Sequence, residues 1–229
     1  MRLFYDPNIE ENPVLDETET KHATKVLRLG VGDDIQVVDG KGSLFTCKIT
    51  EANKRNCKLT ILEKISFEQP QKHIHIAIAP TKNQDRIEWF VEKCIEIGVQ
   101  EITFLNCART ERNKLNMERI DRIAVSAMKQ SLKYWMPQIN ELVDFKTFTK
   151  DCKDSSKMIA HLNEGDRLFI QTIKHPQPSY CMLIGPEGDF TDNEVALAIE
   201  NGFIPVSLGE SRLRTETAGM VSCVQLNLL

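Results

Sequence analysis

The chain has 229 residues, 41% of them hydrophobic, with 29 Lys and Arg against 33 Asp and Glu and a formal net charge of −4. That is enough apolar material for a sizeable core and two modest domains, and too much for a disordered polymer. No apolar run approaches the ~20 residues of a membrane helix. The opening MRLFYDPNIEENP lacks the apolar centre of a signal peptide. Seven cysteines with no CxxC pair predict free thiols in a reducing, cytoplasmic setting, with neither disulfides nor zinc.

The charge is unevenly spread. Eight Lys and Arg stand against four Asp and Glu between Lys21 and Lys58, and seven against three between Arg109 and Lys133. From Ile184 onward two cations face seven acids. A basic front and an acidic back suit a protein that turns one face to phosphates, although ordinary solvated faces read the same way.

Residues 1–68 read as a small β-rich domain. Arg2 to Tyr5 is a short strand, and a helix follows from about Thr18 to Leu27, carrying His22 and Lys25 with Arg28 just beyond. Asp34–Asp39 and Leu44–Ile49 form a hairpin across Gly40-Lys41-Gly42, and Cys57–Leu62 adds one more strand. Glu68-Gln69-Pro70-Gln71 is a polar, proline-broken linker, so a second domain spans residues 69–229.

The second domain opens with His73–Ala79, a near-continuous apolar strand of the parallel-sheet kind. His73 and His75 share one face of it, but no third ligand lies nearby in sequence, so no metal site is expected. A helix from about Gln84 to Ile97 buries Ile87, Phe90, Val91, Cys94 and Ile95 and ends at Gly98, leaving Lys82, Arg86 and Lys93 off the buried stripe. Ile102–Leu105 is the next strand, and Arg109-Thr110-Glu111-Arg112 past its end is well placed to meet phosphate. Asn116 caps a helix with Ile120, Ile123, Ala124, Ala127 and Met128 facing inward. Tyr134 and Trp135 suit base stacking or, more simply, packing in the turn before Met136-Pro137. Met158–Leu162 is a further buried strand, Gly165-Asp166 a loop, and Gln171–Ser179 irregular. Strands alternating with helices give an α/β class.

The last forty-odd residues carry the strongest pattern. The apolar Met182-Leu183-Ile184 stops at Gly185-Pro186-Glu187-Gly188, a sharp loop whose amides can approach a ligand. Thr191 and Glu194 have the spacing of a capping box, opening a helix that Gly202 closes. A second apolar strand, Phe203–Leu208, ends at Gly209-Glu210-Ser211, and Arg212-Leu213-Arg214-Thr215-Glu216-Thr217-Ala218 opens a final helix to Leu229. Two strands thus end in glycine loops with polar residues just beyond, the usual place for a small ligand in an α/β sheet. Neither loop has the Walker or the dinucleotide glycine spacing.

The segments IGPEGDFTDNEV and SLGESRLRTETA resemble the C-terminal signature of the SPOUT-class RNA methyltransferases, and among them the RsmE family, which methylates N3 of a uridine in 16S ribosomal RNA. HATKVLRLGVGDDIQVVDGKG resembles the PUA-like RNA-binding domain at the front of that family. The resemblance implies an α/β SPOUT methyltransferase domain with a parallel sheet and a C-terminal trefoil knot, preceded by a PUA-like β-barrel. It also implies S-adenosylmethionine as cofactor, small-subunit rRNA as partner, a homodimer, and neither metal nor membrane. His22, Arg28 and Lys41 are then candidates for RNA contact in the front domain, with Lys82, Arg86, Arg109 and Arg112 in the second. Leu183, Gly185, Glu187, Gly188, Leu208, Gly209 and Leu213 are candidates for holding the cofactor. Two departures stand out: Asp189 replaces the last glycine of a loop that commonly reads GPEGG, and Lys129 replaces the acid of a Glu-Gln-Ser stretch.

Methyl transfer to uracil N3 must dispose of a proton, so a base or cationic donors are needed. Arg212 and Arg214 are the expected donors and Glu216 the expected base, with Glu187 behind it. Each also has a plainer reading: Glu216 complementing a helix dipole, Thr215 as N-cap, the arginines pairing with Glu210 and Glu216. The alternatives left by the sequence are a SPOUT enzyme acting on tRNA or a ribose 2′-hydroxyl, and a non-catalytic RNA-binding or ribosome assembly protein.

Overall fold

A computed structural model describes residues 3–53, 55–162, 167–173 and 176–229. Arg2, the expected Gly165-Asp166 loop and part of the 171–179 stretch lie outside the described residues. The chain forms two compact units, one of Met1–Gln69 with Met128–Met136 and one of Pro70–Ala127 with Pro137–Leu229.

In the first unit, strands β1 (Leu3–Tyr5), β2 (Val14–Leu15), β3 (Asp34–Val38), β4 (Ser43–Ala52) and β5 (Cys57–Ser66) form one sheet in the order β1-β3-β4-β5-β2. β1 runs parallel to β3 and the other pairs are antiparallel. Alternation sorts the side chains: Ile35, Val37, Phe45, Cys47, Ile49 and Leu59 point into a core shared with Phe4, Ile9 and Leu15. The hairpin turn forms where expected. Asp39 accepts from the backbone N–H of Lys41 (2.7 Å) and Ser43 (2.9 Å), and Gly40 and Gly42 take φ of 70° and 95°.

The helix expected at 18–27 is shorter and less regular. Helix α1 is Glu17–Lys21, started by Asp16, whose carboxylate accepts from Glu19 N–H at 2.7 Å. A π-helical turn, His22–Val26, follows, and Arg28 has φ 55°. The Asp16 cap and the Thr24 hydroxyl bonded to the Thr20 carbonyl (2.8 Å) explain the early start and the distortion.

Residues 128–136 settle two questions left by the sequence. Tyr134 stacks on Phe67 with ring centroids 3.8 Å apart, and the Trp135 indole lies on Gly42 while its N–H donates to the Glu68 carbonyl at 3.2 Å. Both aromatics are therefore packing elements rather than base-stacking platforms. Lys129 is mostly buried and its ammonium meets the Glu19 carboxylate, so a carboxylate is present beside this position from another segment.

In the second unit seven strands form one parallel sheet. They are β6 (His73–Ile78), β7 (Glu101–Asn106), β8 (Gln138–Asp144), β9 (Ser156–Ala160), β10 (Leu168–Phe169), β11 (Ser179–Ile184) and β12 (Ile204–Ser207), in the order β10-β12-β9-β11-β6-β7-β8. β8, β10 and the short helix α4 (Phe145–Asp151), capped by Asp144, are elements the sequence reading did not identify. Helix α2 (Gln84–Ile97) has the expected bounds, with Asn83 as N-cap and Gly98 at φ 119°. Helix α3 (Met117–Gln130) follows Asn116, whose side chain accepts from Arg119 N–H at 3.1 Å. Helix α5 (Asp192–Glu200) carries the full capping box of Thr191 and Glu194. Helix α6 (Thr215–Asn227) packs on α2 at Gly219, where an added Cβ would lie 2.9 Å from Phe90 Cδ2 and 3.0 Å from Ile78 Cδ1.

The paired histidines of β6 belong to a polar network, in which His75 is buried and His73 half-exposed. His73 Nε2 lies 3.0 Å from Glu101, and His75 lies 2.8 Å from the Thr103 hydroxyl and 3.3 Å from Asp154. Cys181 brings a third donor near His75 and Asp154, but each histidine nitrogen of His75 already has a protein partner. All seven cysteines are free thiols.

Candidate active site

The site forms where three parallel strands end side by side. Ala160, the last residue of β9, pairs with Ile184 of β11 on one side and Val206 of β12 on the other. Each strand then runs into a loop, and the loops wall a cavity of about 310 Å³, within the range of small-ligand sites. Its walls are Ala160–Leu162, Ile184–Glu187 with Asp189, Val206–Gly209 and Ser211–Thr215, with Arg86, Arg167 and Ala218. Two glycine loops widely separated in sequence therefore serve one cavity.

Small backbone details hold the first loop. Gly185 packs against Phe190, and a Cβ there would come within 3.1 Å of the ring. Arg109 reaches across to donate to the Gly188 carbonyl at 2.6 Å and to Phe190 O at 3.4 Å. The Glu187 carboxylate accepts from Lys82 N–H at 2.9 Å. Asp189 does adopt the left-handed conformation (φ 62°) that glycine would supply at no cost. Its carboxylate accepts from its neighbour Phe190 N–H (2.8 Å) and from Leu162 N–H (2.7 Å), tying the β9 loop to the β11 loop. Glu194 accepts from Ala108 N–H at 2.7 Å besides closing its capping box.

Of the expected cofactor residues, Gly185, Glu187, Leu208, Gly209 and Leu213 line the cavity. Leu183 does not: it is fully buried in the sheet core with Ala77, Ile159 and Phe190. Gly188 also lies off the wall, its carbonyl engaged by Arg109.

Arg212 and Arg214 both line the cavity, are exposed, and form no ion pair among the described residues. The pairing with Glu210 and Glu216 considered from sequence is absent there. Arg214, not Thr215, occupies the N-cap position of α6, without a side-chain bond, and Thr215 is the first helical residue. Glu216 is buried (6% exposed) and its Oε2 has no hydrogen-bond partner among the described residues. Arg86 Nε stands 3.8 Å from its other oxygen. Glu216 does not line the main cavity but an adjoining groove that shares Arg86, Arg212, Leu213 and Arg214 with it.

The expected RNA contacts divide. Lys82 is exposed and pairs with Glu111 at 2.9 Å, which raises its pKa, and Arg112 donates to the Lys82 carbonyl at 2.8 Å. Arg109 is exposed and also braces the glycine loop. In the first unit Arg28 is exposed, the Lys41 ammonium donates to Pro7 O at 2.8 Å, and the His22 ring leans on Phe4 at 5.7 Å. Sequence reasoning missed His161, Leu162, Arg167 and Ser211 as wall residues. The β9 strand was read through Leu162, which hid the fact that it turns into the site after Ala160.

A cavity at the ends of parallel strands, without a phosphate loop, is where an α/β protein holds a small organic ligand. The family model for the RNA methyltransferase domain matches residues 68–227, and that for the RNA methyltransferase PUA domain matches residues 15–62. Ribosomal RNA small subunit methyltransferase E of Synechocystis is 32% identical over all of this chain and 77% of its own length. Its namesake from Buchnera aphidicola is 27% identical over 100% of this chain and 93% of its own. A probable rRNA-methyltransferase from Porphyromonas gingivalis superposes with TM-score 0.95 at 42% identity, covering 100% of this chain and 98% of that one. Ribosomal RNA small subunit methyltransferase E from Neisseria gonorrhoeae, a structure bound to S-adenosyl methionine, gives TM-score 0.88 at 26% identity over 100% and 97%. The chain belongs to the RNA methyltransferases, and within them to the ribosomal RNA small subunit methyltransferase E family. None of its described helices is long and apolar enough to cross a membrane.

Proposed function

We propose that this chain transfers a methyl group from S-adenosylmethionine to N3 of a uridine in 16S rRNA of the small ribosomal subunit. In this reading residues 1–68 bind RNA and residues 69–229 form the methyltransferase domain with a trefoil-knotted C-terminus. The protein works as a cytoplasmic homodimer. The observation that carries the reading is that both glycine loops and the Arg212–Thr215 segment wall a single cavity, in a chain of this family.

The cavity suits the cofactor. Ile184, Val206, Leu208 and Leu213 offer apolar walls for a purine, and Gly185 and Gly209 let backbone approach closely. S-adenosylmethionine, when bound, supplies the methyl group from its sulfonium and leaves as a neutral thioether. Glu216, with one carboxylate oxygen unpartnered among the described residues, is the base that takes the N3 proton. Arg212 and Arg214, unpaired and exposed at the mouth, balance negative charge growing on the uracil oxygens. Arg86, 3.8 Å from the other oxygen of Glu216, holds that carboxylate in place.

The test is methyl transfer from labelled S-adenosylmethionine to small subunits lacking their own modification, with the product nucleoside identified by mass spectrometry. Wild type should yield 3-methyluridine, and Arg214→Ala should lower the rate by roughly 10²-fold, the usual scale for one transition-state donor. Cofactor binding without 3-methyluridine on subunits or free rRNA would overturn the assignment.

A further inference from the structure

His161 stands apart from His75, the other buried histidine among the described residues. It follows directly on Ala160 at the end of β9, lines the cavity, and is only 8% exposed. Neither ring nitrogen has a hydrogen-bond partner among the described residues. His75, equally buried, shows the contrast, because Thr103 and Asp154 engage both of its nitrogens. A buried imidazole with neither nitrogen paired destabilises the fold relative to an apolar side chain of similar size. Packing alone gives no reason for histidine here. The Arg167 guanidinium bonds the His161 carbonyl at 2.8 Å and so holds the backbone, not the ring.

We propose that His161 is a cofactor-positioning residue, whose imidazole hydrogen-bonds the adenosine half of bound S-adenosylmethionine. The inference rests on the proposed function for the cofactor itself. The choice of the adenosine half follows from the neighbours. Register places His161 one residue past Ala160, which pairs with Ile184 and Val206, both buried and apolar. Burial lowers the pKa of His161, with Arg167 adding to the effect and Asp189 opposing it, so the ring is neutral. Buried apolar side chains on both adjoining strands suit a purine or a ribose better than the ammonium and carboxylate of the methionine end. A neutral imidazole offers one donor and one acceptor, which match the nitrogens of a purine or the hydroxyls of a ribose. Of the wall cations, Arg167 is engaged by the His161 carbonyl, and Arg86, Arg212 and Arg214 come from other segments, where the charged end and the RNA belong.

The experiment compares His161→Leu and His161→Asn with wild type by calorimetric titration of S-adenosylhomocysteine and of 5′-methylthioadenosine, which lacks the amino-acid end. Removing the unpartnered imidazole should raise the melting temperature of the ligand-free His161→Leu protein. It should also weaken both ligands about tenfold, the scale of one hydrogen bond. His161→Asn, which can still donate and accept, should recover most of the affinity. Unchanged affinities in His161→Leu would overturn the proposal, and a loss confined to S-adenosylhomocysteine would overturn the assignment to the adenosine half. Should the leucine variant fail to fold, the ¹⁵N shifts of the wild-type imidazole decide: a change on adding methylthioadenosine supports the contact, and none overturns it. Failure of wild type to bind either ligand would instead bring down the proposed function.

Discussion

Asp189 tests how the cavity is held together, because it sets backbone strain against side-chain bonding at one position. It sits at φ 62° and its carboxylate accepts from Leu162 and Phe190 N–H at 2.7 and 2.8 Å. Hydrogen bonds to a charged group contribute about 1.5–3 kcal/mol each when sheltered. Here Leu162 is 51% exposed, so the lower end applies to the bond that ties the two loops, about 1.5 kcal/mol. The left-handed backbone costs a residue with a Cβ roughly 1–2 kcal/mol, less for Asp than for Ala. Asp189→Ala loses the bonds and keeps the strain, a destabilisation of about 2–3 kcal/mol. Asp189→Gly loses the bonds and sheds the strain, leaving about 0.5–1 kcal/mol. Asp189→Asn retains an acceptor and tolerates the conformation, so it should stay closest to wild type. The expected order of stability in chemical denaturation is Asp, Asn, Gly, Ala. Affinity for S-adenosylhomocysteine should follow it, falling about five- to tenfold in the alanine variant, since Leu162 and Asp189 both wall the cavity. A glycine variant more stable than wild type by the full strain would show that the carboxylate bonds contribute nothing. Equal alanine and glycine variants would show the same for the strain.

Three further outcomes are expected. Gly219→Ala gains about 1 kcal/mol of helix propensity, but its Cβ would press on the fully buried Phe90 and Ile78, and overpacking of about 1–3 kcal/mol should win, lowering the melting temperature. Among the seven thiols Cys152 should alkylate first in the native protein, read by peptide mass spectrometry: a hydrogen bond from Cys181 lowers its pKa and it is partly exposed, whereas burial pushes Cys47 up to about 11 and raises Cys94, Cys107 and Cys181. The bond to Glu101 raises the His73 pKa, so its stabilisation is complete below the unfolded value of 6.5 and is lost as pH rises through the folded value; His73→Gln should flatten that part of a melting-temperature profile.

The second unit was legible where local signals and periodicity agreed. Asn83 and Gly98 bracket α2, and Thr191 with Glu194 open α5, because caps and apolar stripes are written within a few residues. The stretch 138–151 was illegible for the opposite reason: β8 is an edge strand, half-buried along its length, with no clean alternation, and α4 has only seven residues. In the site, the glycine loops and both arginines could be named from sequence, since each lies just past an apolar strand. What sequence could not show is which strand end lies beside which. β9 is separated from β12 by more than forty residues, yet the two are neighbours in the sheet, and only that pairing turns His161 and Leu162 into cavity wall. The same limit hid the contact that Arg109 makes. Its exposed guanidinium bonds the Gly188 carbonyl, 79 residues away in sequence. Leu183 erred the other way: alternation within β11 turns it into the core, so proximity to the glycine loop along the chain did not make it part of the site. Contacts set by strand order are what a single sequence conceals. They are also what makes the histidine at the end of β9 a more telling residue than any of the conspicuous glycines.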